Sequence, residues 1–132
     1  MSKIIHSMIR VRNLNHSLKF YAECFGLHPA HRLDFPSFSL VYLRNAENDA
    51  EIELTWNQGR TEPYTHGDGY GHVGMCVPEV AAERARLLEL GYHPLDIKEF
   101  KADDGALIAR YFFIQDPDGY KVEVLERHGH YQ

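Results

Sequence analysis

Two histidines and two glutamates carry the chemistry this chain could do. Of the nine histidines in 132 residues, His6 and His72 each open a run of the form His-x4-Val, ending at Val11 and Val77. Glu53 and Glu123 each sit between branched apolar residues, in Ile52-Glu53-Leu54 and Val122-Glu123-Val124. The separations are 47 residues from His6 to Glu53 and 51 from His72 to Glu123. Two imidazoles and two carboxylates form a mixed nitrogen and oxygen set that suits a borderline divalent ion such as Ni, Co, Zn or Fe. Four protein ligands on an octahedral ion leave two positions for water or a chelating substrate, which a closed structural site lacks. Taken singly, each residue has an ordinary reading. A strand histidine is usually a surface or core residue, and a glutamate between apolar residues is usually the polar beat of an alternating strand. What sets the four apart is that they occupy equivalent places in a repeat.

The elements that must position them recur in order. At the start, Ile5, Ile9 and Val11 alternate with Ile4, His6, Met8 and Arg10, as a strand requires. Leu14, Leu18, Tyr21, Ala22 and Phe25 then fall on one helical face, with Asn13 as N-cap and Gly26 as stop. Strand-like runs follow near 28–35, 38–44 and 50–57. The polar, Gly-rich stretch 58–71 reads as a linker. After it come a strand from His72, a helix with Ala81, Ala85 and Leu88 on one face, and strands near 93–100, 106–115 and 120–126. Asp116-Pro117-Asp118-Gly119 is a turn between the last two. The expected fold class is α+β: two βαβββ modules, 3–57 and 70–126, within a single domain spanning 1–132. A four-stranded unit with one helix leaves a sheet face uncovered, which pairing the copies would cover.

Both glutamates point away from their apolar neighbours, onto the other sheet face. Arg10 lies four residues after His6 and Asn57 four after Glu53, so parity keeps each on its neighbour's side. Four strand residues span about 13 Å. At that reach a guanidinium and an amide could hold the distant carboxylate of an extended ligand. Equally, Arg10 could pair with a surface acid and Asn57 could end its strand as a turn former.

Composition bounds the rest. A net charge of −5 with scattered basic residues argues against a nucleic-acid backbone binder. No apolar run approaches the roughly 20 residues of a membrane span. Cys24 and Cys76 stand far apart without a Cys-x-x-Cys, which reads as reduced thiols and a cytoplasmic location. The terminal His128-Gly129-His130 reads as part of a disordered tail, and His66 as a linker residue.

With these residues in place, the chain resembles the glyoxalase I (lactoylglutathione lyase) family of the vicinal-oxygen-chelate superfamily. The resemblance is carried by His6-Ser-Met-Ile-Arg-Val11, Ser17-Leu-Lys-Phe-Tyr21, Glu51-Ile-Glu-Leu-Thr-Trp-Asn57, Tyr70-Gly-His-Val-Gly-Met-Cys-Val77 and Asp116-Pro-Asp-Gly-Tyr-Lys-Val-Glu-Val124. It covers about residues 3–126. It implies a glyoxalase/bleomycin-resistance-type fold whose curved mixed sheets form a metal-binding cup. It also implies a homodimer with sites at the subunit interface, first-half ligands coming from one chain and second-half ligands from the other.

By position the resemblance makes His6, Glu53, His72 and Glu123 the metal ligands. The first-ligand histidine and the short chain lean towards Ni or Co over Zn. The implied reaction isomerises the hemithioacetal of methylglyoxal and glutathione, the co-substrate, to S-lactoylglutathione. Proton transfer passes through a metal-bound cis-enediolate. Glu123 is implied as the base, with Glu53 across the metal, and Arg10 and Asn57 as substrate-binding residues for the glutamyl end. Other implied possibilities are an epimerase, a dioxygenase, a thiol transferase or a non-catalytic small-molecule-binding protein of the same fold.

Two stretches depart from the family pattern. The Lys-Gly-Gly-like loop tied to the glycyl end of glutathione is not met in Phe100–Tyr111, although Gly105 and the nearby Lys98, Lys101 or Arg110 could substitute, and Asp103 and Asp104 would repel a carboxylate. Asn57-Gln58-Gly59 stands for the family's Asn-Trp-Gly.

Overall fold

A computed structural model describes residues 1–132. The chain divides into two units, Met1–Thr65 and His66–Gln132. The first runs β1 (His6–Val11), α1 (Leu14–Phe25), β2 (His28–Asp34), β3 (Phe38–Arg44) and β4 (Glu51–Asn57). The second runs β5 (Val73–Val77), α2 (Val80–Glu89), β6 (Lys98–Lys101), β7 (Leu107–Gln115) and β8 (Lys121–Glu126). Each unit is therefore βαβββ around one four-stranded mixed sheet, ordered β1-β4-β3-β2 and β5-β8-β7-β6. No helix is long and apolar enough to cross a membrane.

In both sheets the first and last strands of the unit are parallel neighbours, and the other pairings are antiparallel. That order brings residues some 50 positions apart onto adjacent strands. Alternation then sorts the faces. In the first unit Ile9, Val11, Val41, Leu43, Ile52 and Leu54 are buried and join Leu14, Phe20, Tyr21 and Cys24 of α1 in the core. In the second, Phe112, Ile114, Val122 and Val124 join Val80 and Leu87 of α2. Burial of such a side chain is worth about 1.5–3 kcal/mol. The apolar set thus fixes the register and, with it, which residues face the other way.

Several boundaries follow local chemistry. The side chain of Asn13 accepts from the backbone N–H of His16 at 2.9 Å, capping α1. Gly26 ends that helix at φ 62°, a left-handed turn that returns its N–H to the Ala22 carbonyl. Glu79 gives α2 no side-chain cap. The carboxylate of Glu126 on β8 accepts from Val80 N–H instead, at 3.1 Å.

The structure corrects four sequence expectations. On α1 the buried face is Leu14, Ser17, Phe20, Tyr21 and Cys24, with Leu18, Ala22 and Phe25 only half-buried. On α2 it is Val80 and Leu87, while Ala81 and Ala85 are exposed and Leu88 is 46% exposed. Alanine spacing misled there, because two larger side chains decide which face turns inward. The strand expected over 93–100 is confined to Lys98–Lys101. Pro94 has no N–H to give, and the Leu95 carbonyl is taken by Arg84 at 2.8 Å. The C-terminal tail is ordered: His128 and Tyr131 exchange backbone hydrogen bonds, and the His128 imidazole meets the Leu107 carbonyl at 2.9 Å.

Candidate metal centre

The parallel pairing of β1 with β4 places His6 and Glu53 on one face. Met8 is the register partner of Glu53, so the side chain two residues earlier, His6, leans alongside it. His6 Nε2 lies 3.2 Å from Glu53 Oε1. The second unit repeats this. Gly74, two residues after His72, is the partner of Glu123, and His72 Nε2 lies 3.6 Å from Glu123 Oε1. His72 stands one residue ahead of β5 rather than within it.

The aromatic neighbour repeats as well. Tyr42 pairs with Glu53 and stands edge-on to His6 with centroids 5.4 Å apart. Phe113 pairs with Glu123 and stands edge-on to His72 at 5.3 Å. Within neither unit does a third His, Cys, Asp or Glu join the pair.

A metal ion fits this donor set. Ligand atoms at about 2.0–2.2 Å from one ion lie roughly 3 Å apart when adjacent in its coordination shell. Separations of 3.2 and 3.6 Å between imidazole nitrogen and carboxylate oxygen are close to that spacing. The histidines keep partial access, at 33% and 42% of side-chain exposure, while the glutamates are largely covered, at 11% and 18%.

The two carboxylates are held differently. Oε2 of Glu53 accepts from the Thr55 hydroxyl at 3.1 Å. The Tyr42 phenol also bonds to Glu53. Its pKa is held above the ordinary value, first by desolvation, then by that bond and by the charges of Glu53 and Glu51. In the second unit the matching positions are Leu125 and Phe113, which have no hydroxyl to donate. Sequence reasoning missed Thr55 and Tyr42. Thr55 was within reach of parity, two residues past Glu53. Tyr42 needed the β3–β4 register.

Arg10 pairs with Thr55 and Asn57 with Phe38, so both share the face of His6 and Glu53, further along their strands. In the second unit, Lys101 and Arg110 are engaged by Glu99 at 3.4 and 3.0 Å. The hydrogen bond from Arg110, then that from Lys101, and last their charges hold the Glu99 carboxyl below its ordinary pKa. Lys98 pairs with Tyr111, which places it on the face of Phe113 and Glu123. Gly105 and the two acids Asp103 and Asp104 occupy the exposed β6–β7 hairpin.

The family model described as the glyoxalase/bleomycin resistance protein/dioxygenase superfamily matches residues 3–124. A probable lactoylglutathione lyase of Synechocystis is 34% identical over 128 residues, covering 93% of this chain and 94% of that protein. The lactoylglutathione lyase of Haemophilus influenzae is also 34% identical, covering 94% and 92%. Among solved structures, a trypanothione-dependent glyoxalase I of Leishmania major is 32% identical with a TM-score of 0.75, covering 96% of this chain and 87% of that one.

Proposed function

Because the chain belongs to the glyoxalase/bleomycin resistance protein/dioxygenase superfamily, we propose that it is a glyoxalase I-type lyase that depends on a divalent metal. The substrate on this reading is the hemithioacetal that methylglyoxal forms with glutathione, and the product is S-lactoylglutathione. His6, Glu53, His72 and Glu123 would hold the ion. A bound divalent cation supplies stabilisation of the negative charge that develops on the two adjacent substrate oxygens, so that a carbon-bound hydrogen becomes acidic.

The chain's own residues move the proton. Glu123 takes it from C1 and returns it to C2, so that the substrate is isomerised with no net gain or loss of atoms. The single observation that supports this assignment is the difference between the two carboxylates. Glu53 is anchored by Thr55 and Tyr42. Hydrogen bonds to a carboxylate fix its orientation and make it costly to move. Glu123 faces Leu125 and Phe113 at the matching positions, so no hydroxyl there tethers it and it is the freer to swing towards a substrate carbon. Arg10 and Asn57, about 13 Å along the strands, would orient the glutamyl end of the thiol.

The reading is tested by following thioester absorbance with methylglyoxal and glutathione, after chelation and after restoring Ni, Co or Zn. Turnover is expected to vanish on chelation and to return more fully with Ni or Co than with Zn. No turnover with any of the three ions rejects the assignment.

A further inference from the structure

His66 is not among the four proposed ligands and lies six residues before His72. Its imidazole lies flat on the Tyr120 ring, with centroids 4.1 Å apart and planes 12° from parallel. Tyr70 closes the cluster, edge-on to Tyr120 at 5.3 Å and 5.9 Å from His66. Nε2 of His66 is buried and has no hydrogen-bond partner. Buried polar atoms are nearly always paired, and leaving one unpaired is unfavourable. The ring therefore holds its place by stacking, against the preference of its own nitrogen.

The turn beneath it is closed by hydrogen bonds. Asp116, 5% exposed, accepts from the backbone N–H groups of Asp118 and Tyr120 at 2.9 and 3.0 Å. Gly119 completes the turn at φ 85°, and a Cβ there would stand 3.6 Å from His66 Cε1. Both arms of the cluster lead to a ligand: Tyr70 is two residues before His72, and Tyr120 is three before Glu123. They enter the sheet side by side, since Val73 pairs with Val122.

We propose that His66 is a positioning residue: by stacking on Tyr120 it ties the segment entering β5 to the turn entering β8, and so sets the mutual placement of His72 and Glu123 for a metal ion. It acts through Tyr70 and Tyr120 and touches no reacting atom. The proposal rests on His72 and Glu123 being metal ligands. His66→Phe keeps the flat ring and removes the unpaired nitrogen, whereas His66→Ala removes the stack. His66→Leu fills the space without a ring and serves if the alanine variant does not fold.

The test is Ni affinity of the whole chain, by competition with a chromogenic chelator, read beside kcat, KM and the melting temperature of the metal-free protein. His66→Ala or His66→Leu is expected to weaken nickel binding about tenfold to a hundredfold, the range seen when a ligand's supporting partner is lost. kcat should fall more than KM rises, and His66→Phe should restore affinity to within about twofold. A lower melting temperature with unchanged nickel affinity would show a merely structural stack and overturn the proposal. So would a phenylalanine variant as weak as the alanine one. If the unaltered chain binds none of nickel, cobalt and zinc, the ligand reading fails and takes the proposal with it; if it binds one of them and the His66 variants bind that ion as well, only the positioning role fails.

Discussion

The hydroxyl of Thr55 donates to Oε2 of Glu53 at 3.1 Å, and the residue in the same place beside Glu123 is Leu125. Two modules that match in strand order, in histidine–glutamate register and in edge-on aromatic contact thus differ in how firmly they hold their carboxylate. The difference lies in side-chain chemistry alone, because the backbone pairings that carry Thr55 and Leu125 are equivalent.

That asymmetry predicts unequal effects of removing each carboxylate's charge. Glu123→Gln keeps an oxygen and the side-chain shape but cannot accept the substrate proton. Loss of a positioned general base costs about 10²–10⁴ in rate. We expect kcat to fall by that factor while KM for the hemithioacetal changes little. Thr55→Val should leave kcat within about threefold, since it frees a ligand rather than the base. Steady-state kinetics on nickel-loaded protein decide the matter, and near-normal turnover of Glu123→Gln would move the base to Glu53.

How far the sequence spoke for itself differs between the sheets and the helices. Strand alternation identified the faces of His6, Glu53 and Glu123, because a period of two has only two outcomes and the apolar residues choose between them. The helices were harder. A face drawn through Ala81, Ala85 and Leu88 has the right spacing, but spacing fits several faces of a short helix, and Val80 with Leu87 bury more surface. On α1 the polar Ser17 is fully buried, which no hydrophobic count registers. The partners of Glu53 depend on the β3–β4 register, and the stack of His66 on Tyr120 depends on how a linker folds back; local sequence specifies neither.

The α2 correction makes a stability prediction. Leu87 is 1% exposed and Leu88 is 46% exposed. A fully buried Leu→Ala change typically costs 2–5 kcal/mol, whereas exposed positions usually stay within about 0.5 kcal/mol. Urea unfolding of Leu87→Ala should therefore show a loss of about 2–5 kcal/mol, and Leu88→Ala almost none. Comparable losses from both would return the buried face to the alanine side.

Acid sensitivity has two identifiable sources. Asp34 is held below its ordinary pKa of 3.8, chiefly by the Ser39 hydroxyl and then by Arg32. Glu99 is held below 4.5, chiefly by Arg110 and then by Lys101. A carboxylate with a depressed folded pKa adds stability above its unfolded pKa and loses it as pH falls through the folded value. Both groups lie at the surface, where solvent screens the effect, so the change is small. The parent should melt slightly higher than the Asp34→Asn, Glu99→Gln double variant at about pH 6, and the gap should narrow as pH falls below the ordinary carboxylate range. A gap that widens on acidification contradicts the assignment.

The pairing of one His–Glu couple per module makes the origin of a complete site testable by complementation. Suppose each metal takes His6 and Glu53 from one chain and His72 and Glu123 from its partner, as the family resemblance implies for a two-fold dimer. A chain with His6→Ala and Glu53→Ala, or one with His72→Ala and Glu123→Ala, is then inactive alone. When the two are co-expressed, about half of the dimers are mixed, and each mixed dimer has one site with all four ligands and one with none. Activity should recover to about a quarter of the parent, with nickel content rising in step. If all four ligands came from a single chain, every site in every mixture would lack one couple, and both activity and nickel would stay at background. Recovery near a quarter therefore places the couples on different subunits, while background values require each chain to build its own site.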